Sequence, residues 1–211
     1  MIKMKDILDE KDKRLRNISK EVTFPLSQKD KDAINDMIEY LYDSQIEELS
    51  EKYNLRPGMG MAAIQLGINK RYFVVVHEVT KEDDEEQKFD TYVIINPVMV
   101  SHSEEEIAAD AGEGCLSVNR DVEGYVKRYA RVKFEGYDID GNKISIRARE
   151  ELAIAFQHEL DHLNGILFID KNVKRIDMSN TIGLIISKYK NEYIIEYSSD
   201  SRIKVTTYLI Q

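Results

Sequence analysis

The sequence predicts an α+β fold, with mixed, mainly antiparallel sheets around a buried helix and a packing helix near the amino terminus. Three observations carry this reading. Residues 27–52 place Ile34, Met37, Ile38, Leu41, Ile46 and Leu49 at helical spacing, which gives one apolar stripe. β-prone runs follow at 72–79, 92–100 and 132–146, the last folding back at Asp140-Gly141-Asn142, a turn signal. A second helix over 150–164 has apolar early turns (Leu152, Ile154, Ala155, Phe156) and stops at Gly165, a residue suited to a left-handed cap.

Each element has a local cause. Ser27 with Asp30 three residues on resembles a capping box with a shortened acid, and Pro25 stiffens the approach to it. Segment 56–67 carries Gly58, Gly60 and Gly67 and cannot begin as a regular helix. Glu82, Asp83, Asp84, Glu85 and Glu86 read as a solvated hairpin loop, because they lack the spaced acids of a calcium loop. Beyond Ser117 the chain reads as extended again. The tail offers a short helix at 180–189 and β-prone stretches at 193–197 and 203–210. No repeat, linker or boundary stands out, so residues 1–211 read as a single domain.

Composition narrows the function classes. With 30 basic and 39 acidic residues the net charge is −9, which argues against a general nucleic-acid binder and so against DNA as a partner. The 211 residues are 42% hydrophobic, enough for a core, and 10 Gly with 3 Pro exclude collagen-like or proline-rich architectures. A lone cysteine, Cys115, excludes an intramolecular disulfide framework and fits a reducing compartment. The first residues, Met1-Ile2-Lys3-Met4-Lys5-Asp6, lack the apolar core of a signal peptide, and no apolar run is long enough to span a bilayer. The expectation is a soluble cytoplasmic protein with no membrane partner.

Chemistry enters at Gln157-His158-Glu159-Leu160-Asp161-His162, an H-E-x-x-H pattern inside the second helix. Spacing of four residues puts both imidazoles on one helix face, where they can converge on one ion. Glu159, beside the first histidine, can reach a water activated by that ion without being a ligand itself. A catalytic site of this kind wants a third ligand. The candidates are the downstream acids Asp170, Asp177 and Glu192, or Cys115 upstream in Glu113-Gly114-Cys115-Leu116-Ser117, where Gly114 permits close backbone approach. His77 and His102 read as structural or solvent-exposed.

Three motifs together are more specific than any one. Gly58-x-Gly60-x-Ala62-Ala63-x-Gln65, Glu113-Gly114-Cys115-Leu116-Ser117 and Gln157-His158-Glu159-x-Asp161-His162 resemble, in order, the signature motifs of the peptide deformylase family. The likeness covers roughly residues 1–170, the insert at 81–90 resembles the longer-insert bacterial class, and residues 175–211 form an extension with no assigned role. The resemblance implies one divalent metal ion held by Cys115, His158 and His162, usually ferrous iron (Fe2+), with zinc, nickel or cobalt able to occupy the site. It implies a metal-dependent amide hydrolase that removes the N-formyl group from the terminal methionine of nascent polypeptides, releases formate, and makes transient contact with the ribosome. By the same likeness Glu159 is general base and acid, while the Gln65 amide and the Leu116 backbone N–H form an oxyanion hole. Substrate would pair with the strand at Gly58, Met59 and Gly60 and pass Gly114, with its methionine side chain against Ile154 and Ala155. Glu113 is expected to pair with Arg128 and brace the cysteine loop, and Asp161 to orient a neighbouring side chain. Ile64 fills a position where the family often has a smaller or stiffer residue. The alternatives are an H-E-x-x-H zinc metalloprotease, which needs a cleft for internal peptide bonds, and a metal-stabilised binding protein without catalysis.

Overall fold

A computed structural model describes residues 2–172 apart from 82 and 85; these fall within one compact unit, Met1–Lys174. The tail elements expected at 180–189, 193–197 and 203–210, and the acids Asp177 and Glu192, lie outside the described residues, as do Glu82 and Glu85.

The order of elements is α1 (Gln28–Gln45), α2 (Glu47–Tyr53), β1 (Gly60–Ala62), β2 (Tyr72–Glu78), β3 (Phe89–His102), β4 (Glu106–Ile107), β5 (Arg128–Tyr129), β6 (Arg131–Tyr137), β7 (Lys143–Arg149), α3 (Glu150–Leu163) and α4 (Phe168–Lys171). A five-stranded sheet runs β1-β2-β3-β6-β7 with every neighbouring pair antiparallel, and β4 pairs with β5 separately. The fold is therefore α+β with a mainly antiparallel sheet.

Strand alternation divides the core into two layers. Along β2, Tyr72, Val74 and Val76 face α1 and join Ile34, Met37, Tyr40 and Leu41. Phe73 and Val75 face the other way and join Phe134, Ala153 and Phe156 under α3. All five of these strand residues are fully buried, which is why β2 reads as an unbroken apolar run. Phe73, Phe134 and Phe156 meet with ring centroids 5.4 to 6.2 Å apart, clamping α3 to the sheet.

Two expectations change. The segment 27–52 is two helices, because Ile46 is extended (φ −101°, ψ 116°) between α1 and α2. No glycine or proline breaks it; instead the Gln45 amide donates to Val76 O at 2.9 Å and to Leu41 O at 3.0 Å, tying the end of α1 to β2. The stretch expected to be extended after Ser117 is irregular as far as the two-residue β5. It is held by tertiary bonds instead, Arg120 pairing with Glu10 at 2.9 Å and Asn119 donating to Asp9 at 3.2 Å.

The amino-terminal cap of α1 forms, Ser27 Oγ accepting from Asp30 N at 3.2 Å. The acid does not reach back to the backbone as in a full box; it accepts from Lys70 Nζ at 2.6 Å. At the far end of α3, Gly165 has φ +74°, and a Cβ there would lie 2.8 Å from the Arg16 carbonyl carbon. Gly165→Ala combines a left-handed backbone with that overlap and is expected to cost about 2 kcal/mol, read as a lower midpoint in urea. An unchanged midpoint would show that this turn relaxes freely.

Candidate metal centre

Three elements build the site. α3 supplies His158, Glu159 and His162 from one face, the loop after Gly112 supplies Glu113 to Ser117, and β1 with the 3-10 turn Ala63–Leu66 supplies Gly60 and Gln65. The ligand atoms of Cys115, His158 and His162 lie within 4.8 Å of one another, and all three residues are buried. Sγ of Cys115 is 3.2 Å from Nε2 of His162. The 158/162 spacing does what helix geometry requires, with ring centroids 4.9 Å apart.

A carboxylate orients one ring. Glu113 Oε2 sits 2.8 Å from His158 Nδ1, which turns Nε2 toward the thiol. Arg128 holds Glu113 with a two-pronged pair at 2.7 and 2.9 Å and reaches Asp161 Oδ2 at 2.5 Å; Lys171 Nζ reaches the other Asp161 oxygen at 2.7 Å. Burial alone would raise the Glu113 carboxyl, but Arg128 and His158 outweigh it and hold the pKa at about 2. The expected Glu113–Arg128 pair is thus present, and Arg128 extends it to Asp161 on the helix.

The Cys115 thiol shows the same contest. Burial pushes it up, yet the His162 and His158 imidazoles prevail and hold it well below its ordinary value. Glu159 moves the opposite way. Burial is the first cause and raises it to about 7, against the downward pull of the two histidines. Its Oε2 has no hydrogen-bond partner among the described residues, and neither has Nδ1 of His162. One acidified thiol, two converging imidazoles and a buried carboxylate with a spare oxygen fit a divalent cation and a small polar reactant.

A cleft of about 560 Å³ opens above these atoms. Cys115, His158 and Glu159 line it, whereas His162 is fully buried beneath. Gln65 and Leu116 face it from the side, Gly58, Met59 and Gly60 from the β1 edge, and Ile154 and Ala155 from α3, with Gly114 at the loop. The Gln65 amide is fixed: Oε1 accepts from Ala62 N at 2.8 Å, leaving Nε2 3.6 Å from the Cys115 sulfur and 3.2 Å from Ser117 Oγ.

A Cβ at Gly60 would run into the Glu159 carboxylate, 2.9 Å from its carbon, and one at Gly58 would lie 2.9 Å from Leu116 Cδ1. At Gly60 the conflict is with the protein's own buried carboxylate, whatever binds above, whereas at Gly58 it is with the tip of a leucine side chain that can shift. At Gly114 a Cβ would meet nothing within 4 Å, so no internal close approach accounts for that glycine.

Sequence reasoning gave no role to four residues that brace the site. Arg56 donates to the Cys115 carbonyl and, at 2.8 Å, to Asn119 Oδ1. Ser117 receives the Gln65 amide, Phe168 stacks on His158 at 5.9 Å, and Lys171 completes the Asp161 pair. Ser117 stood inside a motif and was the one with a signal. The others come from segments with no pattern of their own. Asp170, a candidate ligand, pairs instead with Arg16. His77 lies 3.9 Å from Glu151 and His102 stacks on Tyr129 at 3.6 Å, both away from the three ligands.

This donor set, with a carboxylate beside a cleft on an α+β frame, defines a mononuclear metal-dependent hydrolase. The family described as polypeptide deformylase matches residues 4–177, and the chain belongs to it. A peptide deformylase of Ligilactobacillus salivarius is 45% identical over 186 residues, 88% of this chain and 99% of that protein. Peptide deformylase 2 of Bacillus anthracis is 45% identical over 170 residues, 81% of this chain and 90% of its own length. Among solved structures, the Met-Ala-Ser-bound class I type b peptide deformylase of Acinetobacter baumannii is similar at 27% identity and TM-score 0.61, covering 78% of this chain and 96% of that one.

Arg128 joins both halves of the site at 2% side-chain exposure, so Arg128→Ala leaves two carboxylates buried without their cation. The expected loss is about 3–5 kcal/mol of stability and roughly 10–100-fold in metal affinity, read by chelator competition on the folded fraction. Unchanged affinity would remove Arg128 from the support of the ligands.

Proposed function

We propose that the chain hydrolyses the N-formyl amide of formyl-methionyl nascent polypeptides and releases formate, with Cys115, His158 and His162 holding one divalent ion. Membership of the family supports the reaction, and the clustering of these three donors under the cleft is the observation that supports the ligand set. Held there, the ion supplies Lewis acidity that lowers the pKa of water and polarises the formyl carbonyl. Ferrous iron is the proposed occupant; zinc, nickel or cobalt suit the same one-sulfur, two-nitrogen set.

Glu159 takes a proton from the attacking water and returns it to the amine nitrogen as the formyl C–N bond breaks. Burial keeps its pKa near the working pH, and its Oε2 is buried with no hydrogen-bond partner among the described residues. Negative charge developing on the former formyl oxygen is met by the Gln65 amide and the Leu116 backbone N–H. The peptide lies along the open edge of β1 at Gly58, Met59 and Gly60, passing Gly114, and its methionine side chain rests on Ile154 and Ala155. The Met-Ala-Ser tripeptide named for the Acinetobacter protein fits a methionine-first substrate of this kind. Acting on nascent chains brings the enzyme into transient contact with ribosomes in the cytoplasm. Among the described residues no helix is long and apolar enough to cross a membrane. We assign the reaction to residues 1–174 and leave 175–211 without a role.

Glu159→Gln is expected to keep the metal content and cut kcat by more than ~100-fold in a formate-release assay. Turnover near wild type would refute its role. Cleavage of blocked internal peptides at rates comparable with formate release would favour the metalloprotease reading. The base must be ionised, so kcat/KM falls as pH drops through its pKa; a nearby cation pulls that pKa below the value of about 7, placing the acid limb of the profile under pH 7. An acid limb above pH 7 would speak against Glu159 as the base.

A further inference from the structure

We propose that the outer face of the β6–β7 hairpin binds the phosphate backbone of structured RNA. Register places Arg131 of β6 directly across from Arg149 of β7, and Lys133 directly across from Arg147. The alternate residues Val132, Phe134, Ile146 and Ala148 pack in the core layer under α3, so the four cations share the opposite face.

Like charges directly opposite one another destabilise a sheet, by roughly 0.2–1 kcal/mol for each pair. Two such pairs in succession, in a chain of net charge −9, are a cost that packing does not explain. Two of the four cations have acidic partners. Arg131 pairs with Glu105 at 2.8 Å and Lys133 with Glu135 at 3.3 Å, while Arg147 and Arg149 have no acidic partner among the described residues. A depression runs over the four cations, and Glu104 and Glu105 line it as well.

The spacing selects the occupant. Cations recur roughly 7 Å apart along each strand and about 5 Å across, a close array that suits repeated phosphates better than a single carboxylate. Three of the four are arginines, whose guanidinium forks match phosphate oxygens. The net negative charge of the chain opposes indiscriminate binding of polyanions. The choice of RNA among polyanions rests on the function proposed above, because nascent polypeptides emerge from a particle whose surface is largely RNA. Sheet order puts β7 at the opposite edge from β1, and none of the four cations lines the substrate cleft.

The test uses the full-length metal-loaded enzyme and a labelled RNA duplex of roughly 20 base pairs, followed by fluorescence anisotropy at several salt concentrations. Four phosphate contacts give a log–log salt slope of about −3 to −4. Lys133→Thr combined with Arg147→Thr replaces a repulsive pair by one that suits a strand. It is expected to weaken RNA binding at least ~10-fold at low salt and reduce the slope by about 2. Tm stays level or rises, and formate release from formyl-Met-Ala-Ser is unchanged. Absence of RNA binding by the wild type, or binding that ignores the double substitution, would overturn the proposal. So would equally tight, substitution-sensitive binding to polyglutamate or to phosphatidylserine vesicles. Loss of formate release by the wild type would instead remove the catalytic reading and leave the binding result standing.

Discussion

Arg128 lies between Glu113 on the cysteine loop and Asp161 on the helix, with 2% of its side chain exposed. Each of the three charges alone would be expensive to bury; together they satisfy one another through directed hydrogen bonds. Through Glu113 the same network reaches His158 at 2.8 Å. A loop without regular structure thereby holds a sulfur against two rings carried by a rigid helix. Remove the guanidinium and both the loop and the ring lose their reference.

A second constraint is steric. Glu159 passes so close to β1 that a Cβ at position 60 would displace its carboxylate, and a Cβ at Gly58 would press on the tip of Leu116. Strand, loop and helix are therefore drawn together at one corner, with Gln65 locked by Ala62 and Ser117 beside them. The cleft inherits its shape from these contacts. The β1 edge stays open there because it ends the sheet, and an extended peptide can complete it.

Charge is distributed unevenly about this frame. The buried centre balances acids against arginine, lysine and imidazole, whereas the β6–β7 hairpin collects four cations at the far edge of the sheet, two of them without an acidic partner among the described residues. In an acidic chain such an array is visible only after the strands are paired, since the basic residues alternate with apolar ones along each strand.

The helices, the long strands and the capped end of α3 were legible from periodicity, because burial on one face imposes spacing of about 3.6 or 2 residues directly on the chain. The clustering of three donors was legible because one helix turn fixes His158 against His162 and the motifs name Cys115. The break at Ile46, the irregular path after Ser117 and the bracing by Arg56, Phe168 and Lys171 were not. Each depends on a partner distant in sequence, as Gln45 depends on Val76 and Arg120 on Glu10. Sequence alone determined which donors could cluster, through local spacing and side-chain type. Tertiary structure decided how the thiol is acidified, which carboxylate orients which ring and which glycines lie against a neighbouring side chain, because those depend on distances between segments that only folding brings together.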